Sequence, residues 1–264
     1  MKIAIIGAGN MGSAIVRGIM RPESPKYELT VSNPSKNSLE NISAEFPTVK
    51  ITTNNIEALR DADVGIFAVK PWILPSVAEE AVKAKAVPQI IVSIAAGVGL
   101  NQLNGLFNRD LNHERSLFYV IPNTAISIGK GMTFITSKYA IDAEKDLVKN
   151  IFDLMGETAF IEEDKIGAAT ALCSCGIAYA FKYIQACVQA GVQMGFRPEN
   201  AQKYAIATVD GAMELLKTKE TTPQKEIDCV TTPGGMTIRG INMLEHTGFT
   251  SSIIKSIIEP IKNE

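Results

Sequence analysis

The chain has 264 residues, of which 46% are hydrophobic and 20% are charged, enough apolar material for one large globular domain or two smaller ones. Its 26 basic and 28 acidic residues give a formal net charge of -2, so no excess of positive charge is available to hold a nucleic-acid backbone. The apolar runs, such as 63–69 and 89–96, are far shorter than the roughly 20 residues that span a bilayer. We therefore expect a soluble, cytoplasmic protein that binds neither nucleic acid nor a membrane.

The four cysteines are too few and too irregularly spaced for a disulfide framework, and no two of them form a C-x-x-C pair. Two of them lie two positions apart on a predicted helix, where their side chains point in different directions. Only two histidines accompany them. We therefore expect a reducing compartment and no metal site at Cys173, Cys175, Cys187 or Cys229.

Residues 2–160 alternate short β-branched runs with helical stretches, which is typical of a parallel sheet covered by helices. Each connection is short enough to hold a single helix, so the pattern predicts a Rossmann-like, doubly wound α/β sheet. Strands are predicted over 2–6, 29–32, 49–52, 64–69, 90–94, 117–121 and 132–135. The predicted helices that lie between them cover 11–20, 35–46, 74–84 and 142–155.

From about residue 163 the sequence becomes Ala-rich and helical, with no proline between 165 and 194. Gly195 and Pro198 indicate a helix end followed by a proline-started helix, and Pro223 marks the next boundary. The expected domains are therefore a dinucleotide-binding domain over 1–162 and an all-helical substrate-binding and dimerisation domain over 163–264. The first helix is too apolar for a domain of this size, which predicts a subunit interface.

The first strand leads into the motif G-x-G-x-x-G and then into a helix. In a dinucleotide site, Gly7 permits the tight turn, Gly9 lets the backbone approach a pyrophosphate, and Gly12 permits close packing of helix on strand. Free amides at the start of the helix bind the phosphate charge. We therefore expect this turn, including Asn10 and Met11, to bind a dinucleotide; a glycine turn needed only for packing is the alternative.

The end of the second strand discriminates between nicotinamide cofactors, because an acidic residue there would bind the ribose hydroxyls of NAD and repel a 2′-phosphate. No carboxylate is present in this stretch. Ser32, Asn33 and Ser35 can donate hydrogen bonds and Lys36 supplies a positive charge, which favours NADPH. The alternative is that Lys36 is an ordinary solvated lysine and that the pocket also accepts NADH.

The fourth strand ends in a lysine and a proline, which hold the following loop extended at the edge where open α/β sheets bind ligands. This places Lys70 close to the cofactor, although a lone lysine is often only a surface residue. Small and polar residues at 93–97 and 120–124 would leave room for a nicotinamide. At the end of the fourth strand, the candidate cofactor-binding residues are Ala68, Val69, Lys70 and Pro71.

Residues 228–237 contain two adjacent threonines, a Pro-Gly-Gly turn and a further threonine at the start of a predicted helix. Backbone amides and hydroxyls that converge in this way form a nest for a carboxylate. An ordinary loop in which Thr237 caps the helix is the alternative. The candidate substrate-binding residues are Thr232, Gly234, Gly235, Met236 and Thr237.

Five motifs occur in the order and spacing of one enzyme family: Gly7–Gly12, Ala68–Pro71, Ile121–Thr124, Gly176–Tyr179 and Thr231–Ile238. On these motifs, the chain as a whole resembles the pyrroline-5-carboxylate reductase family. The resemblance implies reduction of 1-pyrroline-5-carboxylate to proline with NAD(P)H, the last step of proline synthesis. It also implies a Rossmann domain, a helical domain that interlocks in a homodimer, and often a decamer of five dimers.

Asn55 and Lys70 match positions that lie near the cofactor in the family, so the resemblance places both of them there. It also places Thr232, Gly234, Gly235 and Thr237 around the substrate carboxylate. Two stretches depart from the family: Ile177 follows Gly176 where proline is usual, and residues 118–120 lack a common arginine.

A cyclic imine is readily protonated near neutral pH, so the site needs orientation more than a strong general acid. Thr237 is the candidate catalytic residue, as an orienting group or proton donor. A β-hydroxyacid dehydrogenase is one alternative, but it needs an asparagine one turn after the helix lysine, and Gln185 and Ala186 follow Lys182 instead. A non-catalytic nucleotide sensor is the other alternative, and it would not need the threonine loop.

Overall fold

The computed structural model describes residues 1–21, 27–108 and 114–261. The chain divides into two compact units, Met1–Ser174 and Cys175–Glu264. This division follows Ser174. The sequence predicts the domain boundary at 162/163, which stays a prediction.

The elements of the first unit are β1 (Lys2–Ile6), α1 (Asn10–Met20), β2 (Glu28–Ser32), α2 (Lys36–Glu45), β3 (Lys50–Thr52), α3 (Asn55–Leu59), β4 (Val64–Phe67), α4 (Leu74–Lys83), β5 (Ile90–Ser93), α5 (Leu100–Phe107), β6 (Ser116–Pro122), β7 (Gly131–Lys138), α6 (Asp142–Asp153) and β8 (Gly156–Phe160). The strands form one eight-stranded sheet with the order β3-β2-β1-β4-β5-β6-β7-β8. All seven predicted strands and all four predicted helices are present, within a few residues of their predicted ends. The short helices α3 and α5 and the edge strand β8 were not predicted.

The predicted doubly wound α/β fold is confirmed, but the sheet is not wholly parallel. Strands β6 and β7 pair antiparallel, with Pro122 opposite Thr133. Only a short 3₁₀ helix, Thr124–Ile128, and a left-handed Gly129 connect them. A parallel crossover needs a dozen or more residues, so this connection can only reverse the chain.

The central strands are buried on both faces, as expected when helices cover both sides of a sheet. Ile3 and Ile5 of β1 belong to one apolar cluster, which also contains Ile15 of α1. Ala4 and Ile6 of the same strand belong to the other cluster, together with residues of α4 and α5. The helices thus fix the strands firmly and leave the strand ends to form the functional edge.

The predicted long helix, 165–194, is a helical run with three parts. After a 3₁₀ turn at Glu163–Lys165, α7 (Ile166–Ala169) passes through a π-helical segment, Thr170–Cys175, into α8 (Gly176–Gln193). The Thr170 hydroxyl donates to the Ile166 carbonyl at 2.7 Å, a contact of the kind that bends helices.

The remaining helices confirm the all-helical C-terminal region. Helices α9 and α10 both begin with a proline, as the sequence predicts. They are α9 (Pro198–Lys219), α10 (Pro223–Val230), α11 (Met236–His246) and α12 (Phe249–Ile258).

In the described part of the chain, one helical run, Glu163–Gln193, is long and apolar enough to cross a membrane, judged by length and composition alone. Its mean hydropathy is 1.3, and one such helix is weak evidence for a membrane span. The sequence contains no unbroken apolar run of this length, because polar residues such as Thr170 and Ser174 interrupt the apolar sequence. These residues do not end the helical run.

The second unit buries very little of its own apolar surface. Of its described residues, only Gly191 and Ala201 are buried. The side chain of Phe181 on α8 is 62% exposed. It lines an apolar groove of about 500 Å³ between α8 and α9, together with Ile184, Gln185, Val188, Gln202 and Ile206.

Candidate cofactor and substrate sites

Four parallel strands end at one edge of the sheet and bring the predicted cofactor residues together. Strand β1 lies between β2 and β4, so the order of the strands reverses beside it. The amide of Gly7 donates to the Ser32 carbonyl at 2.8 Å, and the amide of Ala68 donates to the Ile6 carbonyl at 2.8 Å. Open α/β sheets bind ligands at this kind of switch point.

The three motif glycines have different physical roles. Gly7 has a φ of +104°, and a Cβ atom there would lie 2.6 Å from the Ala68 carbonyl oxygen. A Cβ atom at Gly12 would lie 1.9 Å from the Gly7 carbonyl oxygen, so this glycine lets α1 pack on the turn. A Cβ atom at Gly9 would meet nothing within 4 Å. Gly9 alone therefore borders open space, where a ligand can approach the backbone.

Helix α1 begins beside this open space without a side-chain cap. Its N-cap residue is Gly9, and its first turn, which includes Asn10 and Met11, carries no acidic residue. The amides at the start of a helix carry a partial positive charge and bind anions. These residues therefore fit the pyrophosphate of a dinucleotide.

At the end of β2, two of the candidate residues have structural partners. Ser32 is fully buried, and its hydroxyl donates to Asn55 Oδ1 at 2.7 Å. Asn33 Oδ1 accepts a hydrogen bond from the Ala8 amide at 3.0 Å, so Asn33 ties the end of β2 to the glycine turn. The structure thus places Ser32 inside the fold and Asn33 at its edge.

Ser35 and Lys36 lie at the start of α2, the next helix at this edge. Ser35 is the N-cap residue and makes no capping hydrogen bond with its side chain. Lys36 is the first helical residue and is exposed, and the first turn has no acidic residue. An uncapped helix start with an adjacent lysine fits a phosphate group.

Asn55 links β2 to α4, a connection that the sequence did not predict. Its amide nitrogen donates to Glu80 Oε2 at 3.4 Å, while its oxygen accepts from Ser32. Glu80 is 25 positions away along the chain. No local pattern could therefore have identified this carboxylate.

The β4 end supplies the other side of the cofactor edge. Ala68, Val69 and Pro71 are half-buried, whereas Lys70 is exposed. The Lys70 carbonyl accepts from the Ile73 amide at 2.9 Å, which turns the chain into α4. The structure thus brings Ala68 against the glycine turn and leaves the Lys70 ammonium in solvent.

In the second unit, the predicted substrate loop contains a tight turn. The amide of Gly235 donates to the Thr232 carbonyl at 2.9 Å, and Gly234 has a φ of +70°. Proline at the second position and a left-handed glycine at the third are the requirements of a type II turn. A Cβ atom at Gly235 would lie 2.6 Å from Thr232 Oγ1, so the turn also needs this glycine.

The three threonines around this turn have different environments. The Thr231 hydroxyl donates to the carbonyls of Ile227 and Asp228 at the end of α10. Gly235, not Thr237, is the N-cap residue of α11, so the alternative in which Thr237 is a simple helix cap is wrong. Thr232 and Thr237 are exposed, and neither hydroxyl forms a hydrogen bond within the described residues.

The loop has a positive electrostatic character. The first turn of α11 has no acidic residue and no side-chain cap. Arg239 Nε donates to the Gly235 carbonyl at 3.3 Å, which brings a guanidinium beside the turn. Arg239 was not among the predicted site residues, although its position four residues after Gly235 on a predicted helix was the available signal. Met236, the first residue of α11, has an exposed side chain.

The lysine on which the alternative dehydrogenase chemistry depends contacts a glutamine. Lys182 Nζ donates to Gln185 Oε1 at 3.0 Å, and no asparagine takes part. Within the described ranges, no three His, Cys, Asp or Glu side chains lie close enough to bind a metal ion. Burial raises the pKa of the Cys173 thiol, which makes it a poorer metal ligand at neutral pH.

A glycine turn that fits a dinucleotide and a threonine loop that fits an anion are features of a nicotinamide-dependent oxidoreductase. Residues 2–97 match the family model "NADP oxidoreductase coenzyme F420-dependent". Residues 163–263 match the model "Pyrroline-5-carboxylate reductase dimerisation".

Full-length relatives identify the family. The chain is 33% identical to pyrroline-5-carboxylate reductase 2 of Dictyostelium discoideum, over 97% of this chain and 90% of that protein. It is 32% identical to reductase 1 of the same organism but spans only 48% of that longer relative. The chain belongs to the pyrroline-5-carboxylate reductase family, as its motifs predicted.

A solved structure supports the same assignment. The crystal structure of Plasmodium falciparum pyrroline carboxylate reductase with NADP bound has a TM-score of 0.87 and 27% identity, covering 100% of this chain and 96% of that one. The expected cofactor class, NAD(P)H, is confirmed, and the match to a dimerisation model supports the expected homo-oligomer.

Proposed function

We propose that this protein reduces the C=N bond of 1-pyrroline-5-carboxylate with NADPH and so produces proline. The observation that carries the proposal is the turn at Thr232–Gly235, which leaves the hydroxyls of Thr232 and Thr237 open beside an uncapped helix start. The turn occurs in a chain that matches full-length reductases of this name.

The loop suits a carboxylate for electrostatic reasons. The start of α11 and the Arg239 guanidinium both favour a negative charge, and the two open hydroxyls can donate to carboxylate oxygens. Gly234 and Gly235 keep side-chain bulk away from the backbone amides of the turn. The substrate carboxylate would therefore bind here, with Met236 at the rim.

The chemistry asks for little beyond orientation. A bound reduced nicotinamide supplies the hydride that the imine carbon accepts. The threonine loop holds the imino acid by its carboxylate, and the Thr237 hydroxyl orients the ring or donates to its nitrogen. At the sheet edge, the open backbone at Gly9, the start of α1 and Lys70 hold and orient the cofactor.

We assign NADPH as the preferred cofactor, with NADH as a weaker alternative. Support comes from the start of α2, where Ser35 is free of capping contacts and Lys36 is exposed. Asn33 presents no negative charge to a 2′-phosphate. Because a 2′-phosphate is an anion, both the helix start and the lysine favour it.

The unit of function is a homodimer, with five dimers forming a decamer as in many members of the family. The exposed apolar surface of α8 and the match to a dimerisation model support the dimer. A second chain that covers this surface would also explain the apolar helical run without a membrane, and we place the enzyme in the cytoplasm. Each active site would then draw on both chains.

The test is to mix the protein with NADPH and 1-pyrroline-5-carboxylate and to follow the absorbance of the reduced nicotinamide. The proposal predicts consumption of NADPH that depends on the imine, with proline as the product. A 3-hydroxy acid with NADP⁺ serves as the comparison substrate. Turnover of the hydroxy acid but not of the imine would favour the dehydrogenase alternative, and no turnover of either would favour a nucleotide sensor.

A further inference from the structure

The loop between β5 and α5 is fixed by a buried tyrosine. Its turn is closed by a hydrogen bond from the Val98 amide to the Ala95 carbonyl at 3.2 Å, and Gly97 has a φ of +76°. The Gly97 amide donates to the Tyr119 hydroxyl oxygen at 2.9 Å. Tyr119 is only 5% exposed, whereas Gly97 is exposed. A buried side chain of β6 is therefore hydrogen-bonded to an exposed turn that follows β5.

The tyrosine is located where it can act on the functional edge. Tyr119 on β6 is level with Ser93 and Phe67, the last residues of β5 and β4. The Ser93 hydroxyl oxygen, which is fully buried, accepts from the Ala95 amide at 3.3 Å. Two buried hydroxyl groups on neighbouring strands thus hold two amides of the same loop.

Sheet order assigns this loop to one end of the cofactor. The glycine turn after β1 faces the pyrophosphate, and the end of β2 faces the adenosine ribose. Strands β4 and β5 lie on the opposite side of β1 from β2. The loop after β5 consequently lies on the side that receives the nicotinamide.

We propose that Tyr119 is a positioning residue for the nicotinamide end of the cofactor. It acts through the Gly97 amide and keeps the Ala95–Val98 turn in one position before the cofactor arrives. A surface that is already ordered binds its ligand more tightly, because less conformational freedom is lost on binding. The proposal rests on the proposed function, since it requires that NADP(H) binds at this edge.

The decisive variant is Tyr119→Phe, which retains the ring and removes the acceptor of the Gly97 amide. Gly97 is exposed, so water can replace the hydroxyl and the variant should fold. Calorimetry would compare NADP⁺ with 2′,5′-ADP, which has the adenosine half without the nicotinamide. We expect about a five- to tenfold loss of affinity for NADP⁺ and no loss for 2′,5′-ADP. In kinetics, kcat should fall while the KM of the imine stays constant.

Two further variants complete the test. Tyr27→Phe removes a hydroxyl from a tyrosine that packs against the core before β2, and it should change neither affinity. Gly97→Ala strains the turn at a φ of +76° but adds a Cβ atom that meets nothing within 4 Å. It should therefore reproduce the loss for NADP⁺ alone, and it decides the question if Tyr119→Phe does not fold.

Equal losses for NADP⁺ and 2′,5′-ADP, or unchanged binding of NADP⁺ in Tyr119→Phe, would overturn the role of Tyr119. If Tyr119→Phe does not fold, unchanged binding of NADP⁺ in Gly97→Ala would overturn it. Failure of the unmodified protein to bind either ligand would instead overturn the proposed function. The two results are therefore distinguishable.

Discussion

The two units of this protein bury apolar surface in opposite ways. The first unit contains two complete apolar clusters, one on each face of its sheet. The second leaves Phe181 62% and Met194 72% exposed, and only Gly191 and Ala201 of its described residues are buried. The first unit thus has the core of an independent domain, whereas the second needs another surface to cover its helices.

The same contrast applies to the two candidate sites. At the sheet edge, the Ser32 hydroxyl already donates to Asn55, and Asn33 already accepts from the Ala8 amide. In the threonine loop, the hydroxyls of Thr232 and Thr237 have no partner in the described part of the chain. A preorganised site tolerates little change in its backbone, whereas an open loop depends on single side chains that contact the ligand.

The largest effect is expected from Phe181→Glu, which introduces a charge into the apolar groove of the second unit. If this surface is covered by a second chain, burying an unpaired carboxylate there should dissociate the oligomer and lower the activity by at least about a hundredfold. Light scattering and turnover assays would measure both. Ile141→Glu, in the first unit, replaces an apolar residue that is 65% exposed and should change neither. If Phe181→Glu remained a fully active oligomer, the claim that a second chain covers this apolar surface would be wrong.

Thr237→Ala is expected to lower kcat/KM for the imine by about ten- to a hundredfold, because it removes a hydrogen bond to a charged group worth roughly 1.5–3 kcal/mol. NADPH binding should not change. Thr231→Ala is the matched control: it removes contacts with the end of α10, and so should lower the free energy of unfolding by about 1 kcal/mol with little change in KM. Normal efficiency in Thr237→Ala would remove this threonine from the site.

Gly9→Ala tests the preorganised edge, since the added methyl group meets no protein atom and would lie where the pyrophosphate approaches. We expect titration to show about a tenfold loss of NADPH affinity, which corresponds to roughly 1.4 kcal/mol of binding free energy. Gly12→Ala is the comparison: its methyl group would clash with the Gly7 carbonyl, which should lower the free energy of unfolding by about 1–3 kcal/mol. If Gly9→Ala binds NADPH normally, the open space beside Gly9 does not hold the cofactor.

Asn33→Asp should produce the smallest effect, a shift of about five- to tenfold in the ratio of kcat/KM values toward NADH, because the carboxylate repels a 2′-phosphate by roughly 1 kcal/mol. An aspartate oxygen can still accept from the Ala8 amide, so the glycine turn keeps this contact. Asn37→Asp adds the same charge to the exposed surface of α2 and should shift the ratio less. An equal loss with both cofactors would indicate damage to the turn, not discrimination.

Local sequence patterns predicted the strands that are apolar runs and the helices whose first residue is a proline. The strands of β1, β4 and β6 are continuous apolar runs, and Pro198 and Pro223 mark helix starts, so these features were predictable. The five-residue helix α3 and the edge strand β8 have too few residues for a clear pattern. The antiparallel direction of β7 follows from the short connection after β6, and the apolar pattern of a strand does not reveal its direction.

The candidate sites divide in the same way. The glycine motif and the threonine loop are contiguous in sequence, and residue types at fixed spacing were enough to find them. Glu80 and Tyr119 act on residues that are 25 and 22 positions away, respectively. Such contacts arise only when strands and helices pack, so no spacing rule could have revealed them.

The sequence by itself determined the doubly wound class, the dinucleotide turn and the threonine loop, because each depends on local backbone preferences and on the period of apolar residues. Only the tertiary structure decided that Gly235 caps α11 in place of Thr237, and that Asn55 contacts Glu80. It also decided that Tyr119 holds Gly97. The physical reason is that packing distances and hydrogen-bond partners are set by segments far apart in the chain, whose approach no local pattern specifies.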